Sequence, residues 1–286
     1  MTFSRYVALG DSFTEGVGDH APELPGAVRG WADRVAAALD AASRAAGEPG
    51  LEYANLAIRG RKLKAVIDEQ LAPALTMTPD LVTVHAGGND ILRPTVDLDE
   101  LLAYYDDAIA QLVATGATVA IFTPHDPGGA PVFGTLRGRF AILAEGMRQI
   151  ADTRGAVLVD YWRIRDFDDR RLWDFDRMHM SAVGHQRMAI AVLDALGVDH
   201  DLTPTSLPPT PELTTAQARS ADLDWARRFL APWIGRRLRG VSSGDDLTPR
   251  YPEPVAVEAV SSRCQLAQNA STASTEPTDA NDCAAR

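Results

Sequence analysis

The chain has 286 residues, of which 45% are hydrophobic and 23% charged, and its formal net charge at pH 7 is -11. That length accommodates one large α/β domain or two small ones, and the acidic balance argues against general nucleic-acid binding, which needs a basic surface. Only two cysteines occur, Cys264 and Cys283, so disulfides do not support the core. No secretory signal is visible, and no apolar run approaches the roughly 18 residues of a membrane span. We therefore expect a cytoplasmic protein with no membrane-spanning segment.

Strand-like runs alternate with helical segments over residues 1–200. Five strands are predicted: "RYVALG" from Arg5, "LEYANLA" from Leu51, "LVTVHAG" from Leu81, "TVAIF" from Thr118 and "VLVDYW" from Val157. The segments between them carry apolar residues at three- and four-residue spacing, which predicts helices, and Ser181 is positioned to cap a further helix after the fifth strand. This alternation indicates an α/β fold with a mostly parallel sheet and helices on both faces.

The composition changes after residue 200. Residues 201–240 combine a Pro/Thr-rich arm with a basic amphipathic helix, "DLDWARRFLAPWIGRRLRG", which we expect Pro232 to interrupt. The apolar stripe of that helix consists of Trp225, Phe229, Trp233 and Leu238. We expect the helix to pack on the preceding domain; the alternatives are that it borders a substrate pocket, rests on an anionic lipid surface or forms an oligomer interface. Residues 241–286 are polar, with Tyr251 as their only aromatic residue, and are expected to be largely disordered.

Residues with possible chemistry follow the strands. "YVALGDSFTEGVG" places Ser12 just after the first strand, where it is either a helix cap or a nucleophile. Gly60 follows the second strand, Asn89 in "AGGND" follows the third, and "DRMHMSAVGH" with Asp176 and His179 follows the fifth. The carboxyl ends of parallel strands meet at one edge of a sheet, and this edge is where ligands bind in such folds.

These residue types can fill the roles that acyl transfer requires. A serine hydroxyl becomes nucleophilic when a base within hydrogen-bonding distance takes its proton, and the imidazole of His179 suits that role. The carboxylate of Asp176 would orient the imidazole. The backbone N–H groups of Ser12 and Gly60, together with the Asn89 amide, would form the oxyanion hole.

The four blocks "GDSFTEG", "NLAIRG", "GGND" and "DRMHMSAVGH" resemble, in order and spacing, those of the SGNH (GDSL-type) hydrolase family. The resemblance covers about residues 3–197 and implies an SGNH hydrolase domain over residues 1–200. It implies a flavodoxin-like, three-layer α/β/α sandwich with a five-stranded parallel sheet. It also implies that Ser12 is the nucleophile, that Asp176 and His179 orient and supply the base, and that Gly60 and Asn89 complete the oxyanion hole. The chain departs from the pattern at Phe13, where the family name implies leucine, and by placing Arg59 and Arg61 around the glycine.

The resemblance implies a serine-dependent hydrolase of small-molecule carboxylic esters or thioesters that needs no cofactor and no metal. An acyltransferase that passes the acyl group to an alcohol or sugar hydroxyl is the alternative, which Arg59 and Arg61 favour as side chains suited to an acceptor that bears a carboxylate or phosphate. A non-catalytic binding module on the same fold is a third hypothesis. The oligomeric state is left open.

Several neighbouring residues have a structural interpretation instead. Asp11 and Asp90 are expected to hydrogen-bond the loops, and His85 to be a satisfied core histidine. His185 is expected to pack or bond within its own helix, and His20 and His125 lie in loops that sequence alone does not place. The alternatives to Asp176 are the nearby carboxylates Asp166, Asp168, Asp169 and Asp174.

Overall fold

A central sheet with helices on both faces forms the body of the protein, and the computed structural model describes residues 2–128, 130, 133–207, 209, 213–239 and 241–257. The strands are β1 (Arg5–Gly10), β2 (Glu52–Asn55), β3 (Leu81–His85), β4 (Thr118–Phe122), β5 (Val157–Val159) and β6 (Tyr251–Ala256). Their order across the sheet is β5-β4-β3-β1-β2-β6. Strands β1 to β5 are parallel, as predicted, and β6 is antiparallel to β2. Among the described residues, the sheet therefore has six strands rather than the expected five.

The helices are α1 (Ser12–Glu15), α2 (Trp31–Ala45), α3 (Leu63–Val66), α4 (Ala72–Thr76), α5 (Gly88–Ile91), α6 (Leu98–Val113), α7 (Arg137–Arg154), α8 (Ala182–Leu196), α9 (Thr215–Trp225) and α10 (Ala231–Leu238). Ser181 caps α8 as predicted, because its side chain accepts a hydrogen bond from the Gly184 N–H. Within the described residues, no helix combines the length and apolarity needed to cross a bilayer.

Each face of the sheet has its own apolar core. Along β1, Tyr6 and Ala8 belong to the cluster formed with α2 and α8, whereas Val7 and Leu9 belong to the opposite cluster with α3, α4, α6 and α7. Successive side chains of a strand point to opposite faces, so a continuous apolar run in β1 serves both cores. This confirms the predicted α/β sandwich and places the loops after β1, β2 and β3 at one edge of the sheet.

The prediction that Pro232 interrupts the C-terminal helix is wrong. A π-helical turn, Ala226–Leu230, joins α9 to α10, so the helix continues through Pro232. The turn Ile67–Leu71 joins α3 to α4 in the same way, directly before Pro73. Proline lacks an N–H and its ring crowds the preceding turn. In both places a π-helical turn precedes the proline, where the helix would otherwise lose a backbone hydrogen bond of the normal α-helical pattern.

The expectation that residues 241–286 are largely disordered is wrong for residues 241–257; residues 258–286, with both cysteines, lie outside the described residues. Tyr251 is buried, with its ring 5.6 Å from that of Tyr53, and β6 pairs with the edge of β2. Pro252 and Pro254 are tolerated because an edge strand needs hydrogen bonds on one side only. The segment is ordered by the core and the strand edge that the rest of the chain supplies, which its own composition does not reveal.

Candidate active site

Ser12 lies at the carboxyl end of β1, at the start of α1. The N-cap of this helix is Asp11, whose Oδ1 accepts a hydrogen bond from the Phe13 N–H at 3.1 Å. The interpretation of Ser12 as the helix cap is therefore wrong. Just before Asp11, the side chain of Gln70 binds both the N–H and the carbonyl of Gly10, at 2.8 and 3.0 Å. These contacts fix the turn that leads from the strand into Ser12.

Asn89 connects the first three sequence blocks. Its Nδ2 donates to Asp11 Oδ2 and to the carbonyl of Arg61, each at 3.0 Å. Asp11, next to Ser12, and Arg61, next to Gly60, thus bind the same amide group. Gly60 has a φ of 78°, in the left-handed region that favours glycine. Both protons of the Asn89 amide are engaged in this arrangement, since a carboxamide nitrogen has two.

Asp176 and His179 lie in one turn after β5. Asp176 Oδ2 is 2.6 Å from His179 Nδ1, and Asp176 Oδ1 accepts hydrogen bonds from the N–H groups of Met178 and His179 at 2.9 Å each. Burial favours a higher pKa for Asp176, but the hydrogen bond to His179, the charge of that ring and the two backbone donors together lower the pKa below its usual value. An ionised Asp176 keeps the proton of a neutral His179 on Nδ1 and leaves Nε2 as the acceptor.

The loop that carries His179 packs against the loop that follows Ser12. A Cβ on Gly18 would lie 2.1 Å from the Met180 carbonyl oxygen and 3.2 Å from His179 Cβ, so only glycine permits this approach. Next to this contact, the ring of His185 accepts from the Trp31 N–H and bonds to the Val17 carbonyl, both at 3.1 Å. The fourth sequence block is therefore fixed against the first.

His185 differs from its prediction. It bonds to Val17 and Trp31 in other segments rather than within its own helix. Burial lowers the pKa of His185 to about 3, so the ring is neutral at pH 7 with its proton on Nε2. Sequence reasoning missed this link because both partners are backbone groups that no residue type reveals.

Three of the four carboxylates considered as alternatives to Asp176 have arginine partners, and the fourth, Asp174, contacts His179 through its backbone N–H, which donates to the His179 carbonyl at 2.8 Å. Asp166 pairs with Arg187, Asp168 with Arg165 and Asp169 with Arg171. Asp11 and Asp90 hydrogen-bond the loops as predicted, Asp90 through the Leu63 N–H at 2.9 Å. Only Asp176, among the carboxylates of the described residues near this loop, contacts the ring of His179.

The two arginines around Gly60 are bound within the protein. The Arg59 guanidinium pairs with the buried Glu15, and its backbone N–H donates to the same carboxylate at 2.6 Å. Arg61 donates to Glu69 at 2.8 Å and lies 3.7 Å from Asp245. Both guanidinium groups around Gly60 are therefore paired with carboxylates of the protein itself.

Two further histidines border this edge of the sheet. His85 stacks on Phe13 with ring centroids 3.9 Å apart; its Nδ1 has no hydrogen-bond partner among the described residues and lies 3.7 Å from Asp11 Oδ1, so its polar contact is weaker than predicted. His125 follows β4, with its ring 4.9 Å from that of Trp173. Burial lowers the pKa of His125 to about 4, which leaves it neutral at pH 7. Within the described residues, no group of three or more His, Cys, Asp or Glu side chains could hold a metal ion.

The strand order places β2 on one side of β1 and β3 on the other, which makes the gap between β1 and β3 the switch point where such sheets bind ligands. Ser12 follows β1 and Asn89 follows β3, so the site occupies that point. A serine after the first strand and a histidine–carboxylate pair after the fifth, in loops that pack against each other at the carboxyl edge of a parallel sheet, are typical of the serine-dependent acyl hydrolases. The chain belongs to the GDSL-like Lipase/Acylhydrolase family, which matches residues 8–187. It is therefore an enzyme, a serine esterase that hydrolyses esters.

Solved structures share the fold. Axe2, an acetylxylan esterase from Geobacillus stearothermophilus, is 21% identical, with 69% of this chain and 96% of Axe2 aligned at a TM-score of 0.54. LAE5, an α/β hydrolase enzyme from the metagenome of Lake Arreo in Spain, is 24% identical, with 68% and 95% aligned at a TM-score of 0.52. No curated protein sequence matches the chain significantly. Because the family match ends at residue 187, helices α9 and α10 and strand β6 lie beyond it.

Proposed function

We propose that this enzyme hydrolyses carboxylic esters or thioesters through a covalent acyl-enzyme on Ser12. The observation that carries the proposal is the 2.6 Å contact between Asp176 and His179, in a loop packed against the one that follows Ser12. The remaining parts of the site belong to the same edge of the sheet, where Asn89 joins the loops of Ser12 and Gly60.

In the first half of the reaction, Ser12 Oγ attacks the carbonyl carbon of the substrate while His179 Nε2 takes the hydroxyl proton. The carbonyl oxygen becomes an oxyanion, for which the backbone N–H groups of Ser12 and Gly60 and the Asn89 amide are the donors. The tetrahedral intermediate collapses, the bond to the alcohol or thiol breaks, and the imidazolium gives its proton to the leaving group.

In the second half, a water molecule gives a proton to His179 Nε2 and attacks the acyl-enzyme. Collapse of this second intermediate breaks the bond to Ser12 Oγ, which regains its proton from His179, and releases the carboxylic acid. Asp176 stays ionised throughout and stabilises the imidazolium that forms twice in each cycle.

The oxyanion role of Asn89 requires an exchange of hydrogen bonds. Both amide protons have internal acceptors, Asp11 Oδ2 and the Arg61 carbonyl. One of them must turn to the substrate oxygen as negative charge develops there. A charged oxyanion is a stronger acceptor than a peptide carbonyl, so the bond to Arg61 is the one that we expect to be replaced.

The substitution Ser12→Ala tests the proposal. Turnover of a model ester should fall by about 10⁴-fold or more, while the circular dichroism spectrum stays unchanged. Ser220→Ala, the same change at an exposed position on α9, is the matched control and should keep full activity. Retained hydrolysis in the Ser12 variant would overturn the proposal.

Substrate class is the second part of the test. A series of acyl esters and acyl-thioesters of increasing chain length, with an acetylated xylooligosaccharide included because Axe2 is an acetylxylan esterase, should be hydrolysed with and without an added alcohol. Free acid as the only product supports the hydrolase. An acylated alcohol as the main product would instead support the acyltransferase. The ion pairs of Arg59 and Arg61 within the protein weaken the argument from these two residues for that alternative.

A further inference from the structure

Trp225, at the end of α9, contacts the turn that carries Asp176 and His179. Its indole N–H donates to the backbone carbonyl of Asp176 at 2.8 Å, across 49 residues of sequence. A carbonyl that accepts a side-chain hydrogen bond is held in one direction. The helix therefore binds the backbone of the same residue whose carboxylate holds His179.

The residue after Asp176 is bound by the same helix. The Arg177 guanidinium lies 4.6 Å from the centroid of the Trp225 ring, and its Nη1 is 2.8 Å from Asp222 Oδ1. Arg177 has a φ of 61°, which a non-glycine residue adopts only when its surroundings compensate the strain. The cation–π contact and the ion pair are such compensation.

The helix contacts this loop at a third point. Phe229 packs edge-on against Phe175, with ring centroids 5.1 Å apart, and the Arg228 guanidinium lies 5.1 Å from the centroid of the Phe175 ring. Three successive residues of the loop, 175 to 177, thus have partners on one helical segment. This segment lies beyond the family match, so it is an addition to the hydrolase domain.

The conformation of this turn determines how the carboxylate is presented. The N–H groups of Met178 and His179 both donate to Asp176 Oδ1, which turns Oδ2 toward His179 Nδ1. A change of the peptide between Asp176 and Arg177 would rotate this arrangement. The imidazole would then lose the partner that sets its tautomer and stabilises its charged form.

We propose that Trp225 is a positioning residue for the reaction: through the Asp176 carbonyl and Arg177, and with the help of Asp222, it holds the Asp176–His179 turn in its active conformation. The inference rests on the proposed function, in which His179 is the base. It predicts that a substitution in the C-terminal helix reduces the rate of the chemical step without weakening substrate binding.

The main test is Trp225→Phe, which keeps an aromatic ring beneath Arg177 and removes only the N–H donor. We expect kcat to fall roughly tenfold, as for the loss of one well-placed hydrogen bond, with KM changed less than about twofold. The pH at which kcat/KM reaches half its plateau should move as well, because the carboxylate partner of the base is displaced. A purely structural role would lower thermal stability and leave that pH unchanged. Trp233→Phe is the matched control, since Trp233 packs against Phe133, outside the turn.

A second variant keeps the inference testable if Trp225→Phe does not fold. Asp222 is exposed, and Asp222→Asn removes the charge that pairs with Arg177. We expect kcat to fall about threefold at unchanged KM, less than for Trp225→Phe because the cation–π contact stays. The inference is overturned if each of these two variants that folds has the kcat and the pH profile of the wild-type enzyme.

Labelling of Ser12 with a fluorophosphonate distinguishes a failure of the Trp225 inference from a failure of the proposed function. Wild-type enzyme labelled at Ser12, together with a slower labelling rate in Trp225→Phe, supports both. Labelled wild type with an equal rate in the variant overturns the role of Trp225 alone. Failure of the wild type to be labelled overturns the proposed function, and the positioning role with it.

Discussion

The sheet domain and the C-terminal segment of residues 213–257 are attached by different kinds of interaction. In the sheet domain, apolar clusters on both faces of the sheet join strands and helices. The C-terminal segment, by contrast, adds one edge strand and single ring contacts such as that of Phe229 with Phe175, and it also binds through polar groups at particular points. Burial of apolar area is non-directional, whereas hydrogen bonds and ion pairs fix geometry. We infer that apolar burial holds the first region together and that the directional contacts of the second region add orientation at the active site.

Arg250 is the main polar anchor of the C-terminal segment. Its side chain is 3% exposed and donates from Nη1 to Asp33 and to the Glu15 carbonyl, at 2.8 and 2.9 Å, and from Nε to the Pro25 carbonyl at 2.8 Å. Glu15 ends the short helix that begins with Ser12. The segment therefore contacts the site from two sides, through Arg250 near Ser12 and through Trp225 at the His179 turn.

The largest effect is expected within the sheet domain, at the base and its partner. His179→Ala and Asp176→Asn should each lower kcat by about 10⁴-fold at an unchanged melting temperature, because the proton of Ser12 then has no correctly oriented acceptor. Steady-state kinetics on one model ester measure this. Asp174→Asn, a carboxylate two residues away, is the control; a similar loss there would contradict the assignment of Asp176.

A large effect on stability is expected in the C-terminal segment. Arg250→Met leaves the buried carboxylate of Asp33 without its cationic partner, so the free energy of unfolding should fall by about 3 kcal/mol. Urea denaturation measures it. Arg187→Met, which breaks the more exposed pair with Asp166, should cost about 0.5 kcal/mol or less. Equal effects of the two substitutions would show that Arg250 is not an anchor.

Gly60 tests whether the C-terminal segment reaches the oxyanion side of the site. A Cβ on Gly60 would lie 2.0 Å from Ser242 Oγ, and the φ of Gly60 is 78°. Gly60→Ala should destabilise the protein by about 2 kcal/mol, from backbone strain and from this clash. Adding Ser242→Gly should recover part of the loss in thermal unfolding. No recovery would mean that Ser242 does not cover Gly60 in solution.

The smallest effect, taken per unit of pH, concerns the pH dependence of stability. His185 is neutral when folded, with a pKa lowered to about 3, and its ordinary value in the unfolded chain is near 6.5. Between these values the unfolded state binds a proton that the folded state does not. Within that window, the free energy of unfolding therefore falls by about 1.4 kcal/mol for each unit by which the pH is lowered. Above the window, His185 has no such effect. His185→Gln should remove this part of the slope in urea titrations at pH 4 to 7; an unchanged slope would contradict the assignment.

The sequence was sufficient for the five parallel strands and for the helices between them, because local apolar periodicity and caps such as Ser181 determine these elements. It also indicated the residues of the candidate site, since strand ends in such a sheet converge. It did not predict β6, whose prolines and polar residues form a strand only because β2 offers a free edge and Tyr53 a partner ring.

The contacts that sequence reasoning missed are those between distant segments. Trp225 was recognised as part of an apolar stripe that packs on the domain or borders a pocket, but its indole N–H binds the backbone of Asp176. Phe229 and Trp233 of that stripe contact Phe175 and Phe133, while the side chain of Leu238 lies outside the described part of the chain. The sequence does not show that Arg59 and Arg61 are paired, because their partners, Glu15 and Glu69, come close to them only when the chain is folded.

The most direct test is to label the nucleophilic serine chemically. The wild-type protein is incubated with a fluorophosphonate, and the adduct is located by peptide mass spectrometry in parallel with His179→Ala. We expect one stoichiometric adduct on Ser12, with loss of esterase activity in proportion to labelling and a reaction slower by orders of magnitude in the variant. An adduct on another serine that tracks the loss of activity, or equal labelling rates in the two proteins, would contradict this expectation.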